Sequence, residues 1–145
     1  MRYYLIHNAR YYEYMLAQED LIAITNERDV IRARTEPKIS YEERVPGTPK
    51  NKTEEYVIAL EERQIKKRLE EAKAIITAKK FLLELAEEDL RKSNDIYDII
   101  YTKRWIDNKR PKDIYRELDL MGISYSRSHI YEIIRCIKQT TGREP

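Results

Sequence analysis

Five residues near the end of this 145-residue sequence, Arg127, Ser128, Tyr131, Glu132 and Arg135, carry its clearest chemical pattern. Their spacing of three and four gathers them on one side of a helix, while Ile130, Ile133, Ile134 and Ile137 fall on the other. An apolar face to anchor the helix and an outer face of arginine, hydroxyl and carboxylate groups is what a DNA-reading helix presents. The chemistry implied is hydrogen bonding and charge, with no bond made or broken. Nothing else in the chain competes as a reactive centre. The carboxylate pairs Glu61/Glu62, Glu70/Glu71 and Glu87/Glu88 are adjacent residues, about 100° apart on a helix, and do not converge for acid–base work. Cys136 is the only cysteine and His7 and His129 the only histidines, so neither an internal disulfide nor a zinc set is available. No glycine-rich loop or nucleophile–base pair is visible, and the sequence predicts no catalytic residues, no metal and no cofactor.

The elements that must position the five residues are marked by their ends. Ser126 is a suitable N-cap for a helix 126–141, and Gly142 is placed to stop it. Pro111 opens a preceding helix, 111–121, where its missing amide costs nothing, and Ile114, Leu118 and Met121 form that helix's buried stripe. Gly122 turns the chain between the two. The result fits a helix-turn-helix with a longer turn than the commonest form, and it also fits an αα-hairpin that binds no nucleic acid. Ahead of it, Ser93 and Asn94 read as the cap of a helix 95–106 carrying Ile96, Ile99, Ile100 and Lys103. Beside these run Tyr97, Tyr101 and Trp105, a row that either stacks on bases or fills the core; in a sequence short of other core aromatics the core is favoured. Asn108-Lys109-Arg110 supplies a basic loop.

Farther upstream, residues 2–33 read as one helix. Leu5, Ala9, Tyr12, Leu16 and Ala23 mark one stripe, with Tyr4, Tyr11, Met15 and Ile22 beside it. Residues 34–50, with Pro37, Pro46, Pro49 and Gly47, break the pattern as a linker or extended arm. A long helix follows, capped by Asn51 with Glu54 and ending near Arg91 or Lys92. In it Ile65, Leu69, Ala72, Ile76, Leu83, Ala86 and Leu90 keep a heptad rhythm, and Ile75, Ala78, Phe81, Leu82 and Leu85 add apolar faces that predict a second half embedded among several helices. The seam suits an antiparallel hairpin with the N-terminal helix or pairing with another copy of the chain.

Composition agrees with an all-α protein. Charged residues make up 37%, and three glycines and five prolines leave long helices uninterrupted. The net charge of +2 is unevenly spread, because residues 91–145 hold 12 basic and 8 acidic side chains while 53–90 hold 7 and 10. Positive charge thus collects where phosphate attraction would need it. Arg2, His7, Arg10 and Glu13 interrupt the N-terminal apolar residues before a signal core or membrane span forms, so a cytoplasmic location and no membrane partner are expected. The expected domains are 1–92, a helical hairpin or coiled coil with the linker at 34–50, and 93–145, a three-helix helix-turn-helix module.

Tyr101-Thr-Lys-Arg-Trp105, the acidic-apolar helix 113–120 and Tyr125-Ser-Arg-Ser-His-Ile-Tyr131 resemble the C-terminal region of phage late-gene transcriptional activators of the RinA and ArpU type. Their helix-turn-helix is similar to region 4 of sigma factors. The order of an N-terminal helix, a proline-containing segment resembling Ile39-Ser-Tyr-Glu-Glu-Arg-Val45, a long charged helix and a C-terminal module matches as well. The resemblance implies a sequence-specific regulator of double-stranded DNA, an activator in a bacterial host. Arg127, Ser128, Tyr131, Glu132 and Arg135 would then face bases, while Lys109, Arg110, Lys112, His129 and Lys138 would touch the backbone. Host RNA polymerase and a homodimer or higher oligomer are the further partners it suggests. Two alternatives stand beside it: a helical phage assembly or packaging protein acting through oligomers, and a factor that binds RNA polymerase without DNA.

Overall fold

The computed structural model describes residues 2–35 and 52–145, with side chains described over 2–34 and 55–145. The linker reading of 34–50 and the Asn51 cap therefore lie outside the described residues, except that 34 and 35 finish the first helix. Five α-helices follow one another: α1 (Tyr3–Thr35), α2 (Lys52–Lys92), α3 (Ile96–Tyr101), α4 (Pro111–Leu120) and α5 (Arg127–Thr141), with a π-helical turn, Thr102–Ile106, extending α3. No strand occurs among the described residues. Contacts group the chain into two units, Met1–Glu13 with Lys80–Pro145, and Tyr14–Lys79, which differs from the 1–92/93–145 division expected from the sequence.

In the Tyr14–Lys79 unit, α1 and α2 form a hairpin. Ile65, Leu69 and Ala72 of α2 are buried as the heptad rhythm requires, together with Ala17 of α1. Arg68 Nη1 donates to Glu27 Oε2 at 2.7 Å across the pair. The expected α1 stripe is corrected here: Leu16 is 60% exposed, and Tyr12, Ile22 and Ala23 are also exposed. Tyr4 and Tyr11, both on the expected neighbouring stripe, are buried or half-buried with His7 in the first turns of α1, and within this unit the inward positions are Tyr14, Ala17, Leu21, Ile24, Arg28 and Ile31, at steps of three or four residues. The second half of α2 also differs from expectation. Ile75, Phe81 and Leu85 are exposed, and of the residues beyond Lys79, which belong to the other unit, Ala86 and Leu90 are buried.

The other unit holds the main core. Ile100, Tyr101 and Trp105 meet Ile114 and Leu118 of α4 and Ile130, Ile133, Ile134 and Ile137 of α5, joined by Tyr4 and Leu90. The Tyr101 and Trp105 rings stack at 5.5 Å between centroids and 7° between planes, which places the aromatic row in the core. This is more than a three-helix module, because the first turns of α1 belong to it. α1 has no acidic residue in its first turn; a side chain from α3 serves that end. Asp98, almost fully buried, accepts from the Tyr4 amide at 2.9 Å and the Tyr3 amide at 3.4 Å, and the Ser93 hydroxyl donates to it at 2.6 Å.

Local ends follow the sequence with two corrections. The α3 cap is Asp95, whose carboxylate accepts from the Tyr97 amide at 2.8 Å, and not Ser93 or Asn94. Met121, read as part of the α4 stripe, is exposed, because α4 ends at Leu120 and Gly122 turns the chain at φ 78. That positive φ suits glycine, and the Ile123 amide then donates back to Leu118 O at 2.9 Å, closing the helix end. Pro111 sits in the first turn of α4, the Ser126 hydroxyl caps α5 by accepting from the His129 amide, and Gly142 ends α5 in a left-handed conformation, all as expected.

Candidate nucleic-acid interface

The α4–turn–α5 arrangement presents the polar side of α5 outward. Arg127, Ser128, Tyr131, Glu132 and Arg135 are all exposed, while Ile130, Ile133, Ile134 and Ile137 are buried beneath them. A 15-residue helix of this kind is about 22 Å long. Its polar row is therefore carried by a rigid rod fixed on one side to the core and capped at both ends. A major groove about 12 Å wide admits such a helix.

Intramolecular contacts sort the members of this face. The Arg127 guanidinium lies 5.0 Å from the centre of the Tyr115 ring, drawn to its π face at the first turn of α5. His129 stacks on Tyr125 at 4.9 Å and 10°, and its Nδ1 lies 3.8 Å from Glu132 Oε2. Arg135 is exposed and has no carboxylate partner among the described residues. The structure thus brings the five side chains together but leaves Ser128, Tyr131 and Arg135 least engaged.

The residues expected to hold the backbone are spread more widely. Lys109 is drawn onto the Glu117 carboxylate, which also takes Lys103 Nζ at 2.7 Å. These two lysines hold the Glu117 carboxyl below its ordinary range, and Glu117 in turn raises the Lys109 ammonium. Lys109 therefore fastens the basic loop to α4. The loop itself is tightly built: the Lys109 amide donates to Lys103 O at 2.9 Å, and Asn108 between them takes a positive φ of 54. Arg110 extends outward, its side chain 84% exposed and 3.5 Å from Asp113. Lys112 is exposed with no ion pair among the described residues. Lys138 lies farther along α5, 3.7 Å from Glu144.

Tyr115 escaped the sequence reading. It lies half-buried on α4, and its place under Arg127 is a tertiary contact between residues 12 apart, which no single-helix periodicity reveals. The other cluster missed lies inside the same unit and is structural. The His7 ring, 5% exposed, has Nδ1 at 2.8 Å from the Tyr101 hydroxyl, whose oxygen accepts from Arg143 Nη1 at 3.1 Å. With an arginine donating to its oxygen, the Tyr101 hydroxyl can donate to Nδ1 of a neutral His7 that carries its proton on Nε2. Burial lowers the His7 pKa to about 4 and raises that of Tyr101 to about 12. Arg143 also lies 3.6 Å over the Tyr11 ring, so the cluster ties the end of the chain to α1.

Among the described residues no group of three or more His, Cys, Asp or Glu gathers to hold a metal ion, and no helix is long and apolar enough to cross a membrane. No family model, curated protein or solved structure matches the chain.

Proposed function

We propose that the chain is a sequence-specific transcriptional regulator that binds double-stranded DNA by laying α5 in the major groove, and that it activates phage late genes in the bacterial cytoplasm. The observation that carries the DNA reading is the exposed polar row Arg127, Ser128, Tyr131, Glu132 and Arg135, set on a helix whose opposite side is an isoleucine core and which follows α4 through a glycine turn. Lys112 and Arg135, exposed and without a carboxylate partner among the described residues, support it, since such cations are available to neutralise phosphates. Activation, through contact with host RNA polymerase, is supported by the resemblance of residues 101–131 to the phage activators. In this reading the chain performs no chemistry of its own.

Fluorescence anisotropy with labelled duplexes from the gene's own neighbourhood, against scrambled duplexes and at several salt concentrations, tests the proposal. A preference of about a thousandfold with a steep salt dependence is expected. Equal, weak binding to every duplex would remove the sequence-specific reading. A second reading, assembly through oligomers, draws on the exposed apolar residues of the hairpin, among them Leu16, Ile22, Val30 and Ile75. A large closed oligomer indifferent to DNA would bring it forward.

A further inference from the structure

A cleft of about 150 Å³ opens where the first turns of α4 and α5 meet, lined by Pro111, Lys112, Tyr115, Arg127, Ile130 and Tyr131. Several nearby cations are committed to carboxylates, Lys103 and Lys109 to Glu117 and Arg110 to Asp113. Lys112 and Arg127 are not; among the described residues neither has an acidic partner, and no residue lining the cleft is acidic. Two phenols, Tyr115 and Tyr131, border the same space, and among the described residues neither hydroxyl is taken up in a hydrogen bond. Pro111 and Ile130 give it an apolar floor that holds back water and strengthens any charge interaction above it.

Two cations and two hydroxyl donors around a concave, acid-free space form the donor set of an oxyanion site, with ammonium and guanidinium supplying charge and the phenols supplying direction. The space is sufficient for one tetrahedral oxyanion. We propose that this cleft seats a single phosphate of the DNA backbone. The inference rests on the DNA reading above and deepens it. Arg127 and Tyr131 then act as backbone clamps rather than base readers, and the reading row narrows to Ser128, Glu132 and Arg135. Because Arg127 and Tyr131 border both the cleft and that row, the seated phosphate fixes where along the groove α5 comes to rest. Lys112 and Tyr115 are accordingly positioning residues from α4, and Arg127 sits over Tyr115 in readiness for the phosphate.

The test is a walk of single neutral methylphosphonates along a bound duplex, measured with the full chain and with Lys112→Ala and Arg127→Ala. In the unaltered chain one phosphate position on each bound site should cost roughly tenfold in affinity, as loss of a charge-assisted contact implies. Each variant should lose roughly tenfold on the natural duplex, equally for preferred and scrambled sequences, with a salt slope reduced by about 1. At that one methylphosphonate position the variants should lose nothing further. A parallel arm titrates inorganic phosphate and follows the amide resonances of Lys112, Tyr115, Arg127 and Tyr131. Duplex binding in which every methylphosphonate costs the variants as much as it costs the unaltered chain overturns the cleft and leaves the DNA reading standing. Shifts with inorganic phosphate but no duplex binding keep the oxyanion site and overturn its assignment to DNA. No response to either overturns both.

Discussion

His7 makes the stability of the unit that contains it depend on pH in a calculable way. Its ring is buried against Tyr101, and its pKa is lowered to about 4 from the ordinary 6.5. An unfolded chain takes up the His7 proton near pH 6.5, while the folded one resists it until about pH 4. Above pH 6.5 the neutral ring favours neither state. Between those values the unfolded state binds more protons, so stability falls as pH falls, and below pH 4 no further loss comes from this residue. Each tenfold difference in proton affinity is worth about 1.4 kcal/mol, which sets a ceiling of roughly 3 kcal/mol, and about 2 kcal/mol once residual solvent screening is allowed for. Against a typical stability of about 5–15 kcal/mol this is a large share. Urea unfolding at pH 7.5, 6, 5 and 4, followed through the fluorescence of Trp105, reports on this unit, because Trp105 is the only tryptophan and stacks on Tyr101. Other carboxylates titrate too, so the comparison is with His7→Gln, which keeps a polar group toward Tyr101 but cannot be protonated. The unaltered chain should lose about 2 kcal/mol more than the variant between pH 7.5 and 4. Parallel profiles, or a His7 ring signal titrating near 6.5 in the folded state, would refute the reasoning.

Asp98→Ala removes the acceptor for two α1 amides and the Ser93 hydroxyl, and should cost roughly 2–3 kcal/mol in the same Trp105 assay, as expected when buried donors lose a charged partner. Gly122→Ala meets no atom within 4 Å but keeps a φ of 78, so a loss of only about 1 kcal/mol, from backbone strain alone, is expected in thermal unfolding. Arg135→Ala should weaken binding to the preferred duplex by roughly 1–3 kcal/mol and leave scrambled duplexes nearly unaffected, as read by anisotropy; equal losses on both would make Arg135 a backbone contact.

The helical ends and the α4–α5 pair are legible in the sequence because their signals are local. Ile130, Ile133, Ile134 and Ile137 repeat at helical spacing, Ser126 and Gly142 bracket them, and Pro111 and Gly122 mark α4. The buried row of α1 is only partly legible: Tyr4 and Tyr11 fall on an expected stripe, but the row also runs through His7, Tyr14 and Arg28, while Leu16 and Ile22 stand outside. Amphipathic side chains of this kind bury a body and keep a polar tip paired, so they pass for surface in the sequence. Phe81 and Leu85 mislead in the opposite sense: apolar type predicted enclosure, and α2 leaves them exposed. The outward row of α5 was readable residue by residue, whereas the cleft beside it depends on Tyr115, whose relation to Arg127 exists only once α4 and α5 are packed.

The carboxylate that completes the start of α1 lies 94 residues downstream of the Tyr4 amide it accepts from. A ribosome adding about 5–20 residues per second delivers Asp98 some 5–20 s after Tyr4 has been made. For that interval the first turns of α1 have neither their end partner nor the aromatic wall of Tyr101 to rest on, and helices in proteins draw most of their stability from such packing. The unit bearing α5 therefore closes late, by joining its first residues to nearly its last, and a chain that stalls before Asp98 leaves Tyr4 and His7 open to solvent.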